Sequence, residues 1–281
     1  MSLRPSAGGA AHGRATSADR LASVLATGLA VRQAVEFSTN NKPSAVDVDG
    51  SPLVLDNNAI KKAVEYVLKE GGPDYVHPMY GPIGSWDVSE VTDMSYLFQD
   101  ATSFNGDLSG WEFPKVTHME YMFDYATSFE GKGVSNWTFP EVKSMFRMFE
   151  GATSFNGDVS EWRFPKVTNM SNMFRYATSF NVDVSKWWFP EVIDMSFMFM
   201  DAKSFEGKGV SKWRFYELKD MESMFQDATS FNGDVSKWMF PKVKNMSYMF
   251  EGATSFRGQF SAEAIADLRR RRVRRSDLET W

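Results

Sequence analysis

Apolar residues recur along most of the chain in a fixed order. One pattern places Met94, Leu97, Phe98 and Ala101 at relative positions i, i+3, i+4 and i+7, and later copies keep the same spacing. Such spacing forms one face of two helical turns and predicts a short amphipathic helix. A polar residue of the kind that caps helix N-termini precedes the first Met in most copies. Because so short a helix is unstable alone in water, it must be held by packing.

A second apolar pattern alternates with a period of two. In Trp162, Arg163 and Phe164, two large apolar residues flank a variable one, as in a half-buried β-strand. The proline that follows in most copies would end the strand, and Asn-Gly-Asp later in the unit predicts a tight turn. A strand and a helix per unit predict a parallel sheet on one side and helices on the other. Crossovers between parallel strands are right-handed in nearly all cases.

Both patterns belong to one unit that occurs seven times. Both of its 26-residue copies carry Glu-Gly-Lys-Gly in place of Asn-Gly-Asp, which marks an insertion in a loop. We therefore predict an α/β repeat fold, a right-handed solenoid of seven rungs over residues 81–260, with one short parallel strand and one short helix per rung. The repeated tryptophans, spaced by 25 or 26 residues, are Trp86, Trp111, Trp137, Trp162, Trp187, Trp213 and Trp238.

The repeat resembles a known group of proteins. Residues 86–107, WDVSEVTDMSYLFQDATSFNGD, are similar to the repeat of BspA-type surface proteins, a group that includes the mycoplasma-type repeat of unknown function and the bacterial surface-protein 26-residue repeat. The order W…V-x-x-M-x-x-M-F-x-x-A-x-S-F recurs over about residues 78–260. The resemblance implies a leucine-rich-repeat-like solenoid, at the cell surface or secreted, that serves adhesion or protein binding without catalytic residues.

The N-terminal segment differs from the repeats in composition. Residues 1–45 are rich in Ala, Ser, Gly and Arg, which predicts a disordered tail. The apolar run at 21–31 leaves a secretory signal or a transit peptide open as alternatives. Residues 46–80 follow, and their apolar stripe at 58–70 predicts a helical cap over the first rung.

The C-terminal segment, residues 261–281, is predicted to cap the other end. A helical pattern at 262–268 leads into residues 269–275, six of which are arginine. This run fits either an import signal or anion-binding tail, or a solvated chain end without a partner.

Composition excludes several classes of function. The net charge of −5 does not favour bulk nucleic-acid binding, and no run of 18 apolar residues predicts a membrane span. The chain has no cysteine and only three scattered histidines. Carboxylates form no evident pair, and no nucleophile–base set or phosphate-binding loop occurs. We therefore expect a protein that is not an enzyme and that needs no cofactor and no specific nucleic acid.

Two sets of polar residues recur at fixed positions of successive units, as ladders, and suggest other possible functions. The repeated Asn-Gly-Asp could supply calcium ligands, but one Asp and one Asn per rung are few for an ion that takes six to eight oxygens. Turn formation is the better interpretation, so no metal site is assigned. A threonine ladder, interrupted by Lys203, could suggest ice binding. Hydroxyls that satisfy backbone groups explain that ladder better.

Charged residues at the fifth position of the unit nearly alternate in sign. If equivalent residues of adjacent rungs are neighbours, opposite charges should pair and favour the correct register. The residues are Glu90, Lys115, Glu141, Lys166, Glu191, Glu217 and Lys242.

Strand alternation predicts which side chains face a partner. If Trp and Phe of W-x-F point inward, the residue between them and the residue before Trp point outward. Because Trp and Arg dominate binding hot spots, the outward residues of the later rungs are the candidate site for an anionic partner. The alternative is that arginine stems cover Trp188 through cation–π contact and that it binds nothing. The candidate residues are Arg163, Lys186, Trp188, Lys212, Arg214, Lys237 and Met239.

Two classes of function remain open. The first is a surface binding or adhesion module, expected to be monomeric, that presents its sheet face to a protein or an acidic polysaccharide. The second is a passive structural array in a cell coat or matrix. A concentrated patch of side chains favours the first, and uniform outward positions favour the second.

Overall fold

The computed structural model describes residues 53–70 and 75–273. The chain divides into two compact units, Met1–Pro43 and Ser44–Trp281, and every described residue belongs to the second. The predicted tail at 1–45, with its signal and transit alternatives, lies outside the described residues. In the parts that are described, no helix has the length and apolar character needed to cross a membrane.

Two α-helices flank the repeats. Helix α1 spans Asn57–Glu70 and helix α2 spans Ala262–Arg270, which confirms the helices predicted at 58–70 and 262–268. Between α1 and the first repeat, the short strands β1 (Val76–His77) and β2 (Gly81–Pro82) pair antiparallel.

In the described residues, three short 3₁₀ turns complete the regular structure, at Ile83–Ser85, Val134–Asn136 and Val210–Lys212. The second and third directly follow the two Glu-Gly-Lys-Gly segments, so the insertion lies in a loop as predicted. Each begins after a glycine of positive φ, Gly133 at 85° and Gly209 at 88°. A side chain at Gly133 would collide with the backbone of Ser109 in the preceding repeat, so the close approach requires glycine there.

Successive tight turns replace the helix predicted in each repeat. No α-helix occurs among residues 86–260, all of which are described. Instead, i to i−3 hydrogen bonds close one turn after another, as from the Leu97 N–H to the Met94 carbonyl (3.3 Å). Tyr96 and Asp100 have φ of 65° and 56°, and this left-handed conformation stops each turn from continuing as a helix. The prediction of one short helix per rung is therefore wrong, although its apolar residues are buried.

The turns leave every second N–H free to bond to the next repeat. In the first repeat, four alternate N–H groups donate to carbonyls about one repeat later at 2.8–3.0 Å. Later repeats continue the series, for example from Met170 to Asp194 at 2.9 Å. Equivalent segments therefore lie side by side. The four bonds of the first repeat join Met94 to His118, Tyr96 to Glu120, Phe98 to Met122 and Asp100 to Asp124.

Parallel β-bridges fall at the residue before the first Met of each unit. They join Asp93 to His118 and continue through each later repeat to Asn245. The W-x-F segments, which are fully described, form no strand, so the prediction of a strand there is wrong. The polar residues at the bridge position cap turns instead of helices: Asp93 Oδ1 accepts the Ser95 N–H (2.8 Å), and Asp194 Oδ1 accepts the Ser196 N–H (2.8 Å).

Rows of aromatic rings fill the interior of the repeats. Trp162 is fully buried and stacks on Trp137 with ring centroids 6.1 Å apart. Its indole Nε1 donates to the Val134 carbonyl of the preceding repeat (3.0 Å). A buried tryptophan needs such an acceptor, and the same bond recurs in the later repeats, as from Trp187 to Val159 (2.8 Å). The prediction that the tryptophans point inward is confirmed.

Helix α1 is joined to the first repeat by both apolar and polar contacts. Its buried residues include Ile60, Val64 and Val67. At its first residue, Asn57 Oδ1 accepts the backbone N–H of Thr92 (2.9 Å), which is a group that a preceding repeat would otherwise satisfy.

Ion pairs confirm the predicted register of charges at the fifth position. Lys115 Nζ lies 2.6 Å from a Glu90 carboxylate oxygen, and Lys166 Nζ lies 2.6 Å from one of Glu141. A third pair joins Lys242 to Glu217 at 2.5 Å. All three pairs are largely solvent-exposed, so they align repeats more than they stabilise them.

Candidate partner-binding surface

The W-x-F segments present their middle residue to solvent. Trp162 and Phe164 are fully buried, whereas Arg163 between them is exposed. Trp188 keeps 48% of its surface accessible and Met239 keeps 43%, and the other candidate residues are exposed as well. We call these seven residues, Arg163, Lys186, Trp188, Lys212, Arg214, Lys237 and Met239, the W-x-F surface.

Contacts between neighbouring repeats hold part of this surface in register. The Phe164 N–H donates to the Trp188 carbonyl at 2.9 Å, which places two W-x-F segments side by side. The Lys186 ammonium pairs with the carboxylate of Glu161, its counterpart one repeat earlier. Lys186 is therefore the one cation of this surface whose charge is compensated by an ion pair within residues 53–70 and 75–273.

The two arginines are held against their own backbone. Arg163 Nη1 donates to the carbonyls of Glu161 and Trp162, both at 2.9 Å. Arg214 Nη1 donates to the Trp213 carbonyl at 2.7 Å. These bonds fix each guanidinium close to the surface and use only one of its nitrogens, so planar N–H edges remain for a ligand.

No cation–π contact to Trp188 occurs among the described residues. The cation–π contacts found in the described part of the chain involve Arg147 and Arg175, and neither contacts the Trp188 ring. The alternative that arginine stems cover Trp188 and that it binds nothing stays a prediction. An exposed indole among cations is a surface that can stack on a ligand.

A second polar surface was not found from the sequence. It consists of the side chains at the two left-handed positions of each unit and at the residue before each of them, and we call it the turn surface. In the first repeat these are Ser95, Tyr96, Gln99 and Asp100. Tyr96 is 55% exposed and stacks on Tyr121 at 4.7 Å.

Two carboxylates are buried at equivalent positions of the turn surface. Asp124 is 4% exposed and Glu150 is 2% exposed, and burial raises the pKa of both. Glu150 lies 3.0 Å from Arg147 Nε and 3.6 Å from Arg175 Nη1, and these arginines oppose the rise. Asp124 Oδ2 accepts from Gln99 Nε2 (3.0 Å). We predicted no carboxylate pair from the sequence because Asp124 and Glu150 are a full repeat apart along the chain. An alignment of the seven units would have placed them at the same position of adjacent units.

The two ladders noted in the sequence are engaged in backbone contacts. Asp107 Oδ1 accepts the Ser109 N–H at 2.8 Å, which is the predicted turn chemistry. Asn105 Oδ1 accepts the Glu130 N–H of the next repeat (3.1 Å), and Thr127 Oγ1 donates to the Thr102 carbonyl (3.3 Å). No group of three side chains suited to hold a metal ion occurs among the described residues.

The comparisons with known proteins agree with the repeated architecture. Residues 76–187 and 154–263 each match the family described as Mycoplasma protein of unknown function, DUF285. The searches of curated proteins and of solved structures found no match. The two family matches together cover about two thirds of the 281 residues and both fall on the tandem repeats. The chain therefore belongs to this family of Mycoplasma-type proteins of unknown function, DUF285.

Proposed function

We propose that the seven repeats form a right-handed, leucine-rich-repeat-like solenoid that acts as a non-catalytic binding or adhesion module. Its W-x-F surface would bind an anionic partner, either an acidic protein surface or an acidic polysaccharide. The resemblance to BspA-type surface proteins supports a location at the cell surface or outside the cell. We expect the module to act as a monomer, without a cofactor.

The observation that carries this proposal is the exposed Trp188 among uncompensated cations. An indole that is 48% exposed leaves about half of its large apolar surface in water, and Arg163 and Arg214 carry positive charge on the same surface. Sugar rings and peptide side chains can stack on the indole, while the guanidinium groups can bind carboxylates or sulfates in pairs of hydrogen bonds.

The test is binding of the double variant Trp188→Ala/Arg214→Ala to immobilised heparin, polygalacturonate and polyglutamate at low salt. We expect an affinity loss of about tenfold or more for at least one polymer, because an aromatic and a charge-assisted contact are both removed. Tyr125→Ala/Lys132→Ala is the matched control, since it removes an exposed aromatic and a cation outside the W-x-F surface. Equal binding by both variants and the parent, at unchanged melting temperature, would exclude this surface as the site.

One observation favours the second function, a structural array. The W-x-F surface carries five cations, whereas the turn surface carries six accessible carboxylates, besides the buried Asp124 and Glu150, and two arginines over the seven units. Two such surfaces on different copies are electrostatically complementary. Sedimentation velocity at low and high salt tests this function: salt-sensitive oligomers would support it, and a monomer under both conditions would exclude it.

A further inference from the structure

A cleft lies where helix α2 meets the last repeats. It has a cavity volume of about 520 Å³ and is lined by Lys219, residues 241–244 and residues 271–273. Five of the lining residues are Lys or Arg, in a chain whose net charge is −5. We call it the end cleft.

Two of the five cations are already used within the protein. Lys242 pairs with Glu217. Arg271 pairs with Asp267 at 2.7 Å and donates to the Val243 carbonyl at 2.9 Å. Arg271 therefore joins α2 to the last repeat and shapes the wall of the end cleft.

The other three cations have no ion pair within the described chain: Lys219, Lys244 and Arg272. The Lys244 N–H donates to the Lys219 carbonyl at 2.8 Å, so the two lysines occupy equivalent positions in adjacent repeats. Like charges placed side by side repel each other. Earlier repeats avoid this repulsion, because Lys143 at the equivalent position lies between Thr117 and Thr168.

Arg272 occupies a position that normally takes glycine. The Val273 N–H bonds to the Leu268 carbonyl and the Arg272 N–H bonds to the Arg269 carbonyl, both at 3.1 Å, which is the Schellman arrangement at a helix C-terminus. Its left-handed residue is Arg272, with φ of 52°. Glycine would relieve the backbone strain at this position, yet the protein has a long cationic residue there. The Schellman motif holds Arg272 at the end cleft.

We propose that the end cleft binds a multiply charged oxyanion, a phosphate or sulfate ester group, through Lys219, Lys244 and Arg272. Such an anion would neutralise the repulsion between the two lysines, and its several oxygens can accept bonds from two ammonium groups and one guanidinium. A single carboxylate has too little charge to neutralise three cations. This inference does not rest on the W-x-F surface, because the two sites share no residue.

The test is calorimetric titration of the full chain with inorganic pyrophosphate and, separately, with sulfate, at constant ionic strength set by NaCl. Lys219→Gln/Lys244→Gln should weaken binding by about tenfold or more, because two charged donors are lost. Arg272→Gly should weaken binding while it maintains or raises the melting temperature, since glycine suits the left-handed position. Lys143→Gln is the matched control at the same position of an earlier repeat and should bind as the parent does.

Several outcomes separate the possibilities. Binding of pyrophosphate alone would identify phosphate esters, binding of sulfate alone would identify sulfate esters, and either supports the proposal. The proposal would be overturned if neither anion bound at the constant ionic strength set by NaCl. It would also be overturned if Lys143→Gln and the double lysine variant lost the same affinity. Trp188→Ala/Arg214→Ala should titrate as the parent does, so failure of the end cleft and failure of the W-x-F surface are distinguishable.

Discussion

The W-x-F surface and the turn surface arise from the same repeat, but the backbone exposes their side chains in different ways. In the W-x-F segment the side chains alternate, so Trp162 and Phe164 are buried and Arg163 is exposed. On the turn surface, left-handed residues such as Tyr96 and Asp100 turn their side chains outward while alternate N–H groups bond to the next repeat. The repeat thus fixes where side chains project, and the variable residues decide what they can bind.

The two surfaces also differ in how strongly their charges are coupled to the fold. The cations of the W-x-F surface lie in water, where their charge has little effect on stability. Asp124 and Glu150 of the turn surface are almost fully buried, and their raised pKa values show that ionisation there is unfavourable. Charge can therefore vary freely on the first surface, whereas on the second it affects the stability of the protein.

The largest expected effect contrasts the inward and outward tryptophans. Trp162→Ala should lower the free energy of unfolding by about 3–5 kcal/mol, because it opens a large cavity and removes one of the two N–H groups that donate to the Val134 carbonyl. Trp188→Ala should lower it by much less, about 1 kcal/mol, since about half of that ring already lies in water. Urea denaturation measures both. Similar losses for the two variants would contradict the assignment of inward and outward positions.

A smaller effect is expected at the left-handed positions of the turn surface. Gly151 has φ of 67°, and a side chain there would come within 2.7 Å of the Tyr125 ring. Gly151→Ala should therefore be destabilising by about 1–2 kcal/mol. Asp201→Gly, at the equivalent position with φ of 57°, should change stability little or raise it. Thermal unfolding of the two variants measures the difference. A Gly151→Ala protein with the melting temperature of the parent would contradict the prediction.

The buried carboxylates predict a particular pH dependence. Burial raises the pKa of Glu150 above its usual value of 4.5, so the folded protein holds this proton more tightly than the unfolded chain does. Its contribution to stability is therefore present below pH 4.5 and is lost as the pH rises through the raised value. Above pH 4.5, the unfolding free energy of Glu150→Gln should therefore decrease less with increasing pH than that of the parent. Urea denaturation at several pH values measures this dependence.

The control for this prediction lies near the W-x-F surface. Glu161→Gln removes an exposed carboxylate, paired with Lys186, from the same unit as Glu150. Because an exposed ion pair contributes little to stability, the pH profile of this variant should stay close to that of the parent. A flattened profile for Glu161→Gln, or an unchanged one for Glu150→Gln, would show that burial of Glu150 does not govern the pH dependence.

The smallest effect is expected for the exposed charge pairs. Lys166→Ala breaks the pair with Glu141 and should cost less than about 1 kcal/mol. The loss should disappear in about 1 M salt, where charges are screened over a few ångströms. Chemical denaturation with and without salt measures it, and a larger, salt-independent loss would mean that the lysine stem contributes through packing.

The sequence by itself determined the period of the repeat, the buried residues and the loop that receives the insertion. It also determined helices α1 and α2 and the outward position of residues such as Arg163 and Trp188. These features follow from local periodicity and from the burial of apolar side chains, and the same pattern of apolar residues occurs in all seven units.

Only the tertiary structure decided that the Met-rich segment forms turns. Apolar residues at i, i+3, i+4 and i+7 suit consecutive four-residue turns as well as a helix, and the choice depends on which N–H groups find acceptors in the next repeat. A left-handed Tyr96 is unfavourable in isolation and persists because its N–H bonds to the Glu120 carbonyl. The burial of Asp124 beside Glu150 and the convergence of cations in the end cleft are equally nonlocal, since residues about a repeat apart meet only when the repeats pack.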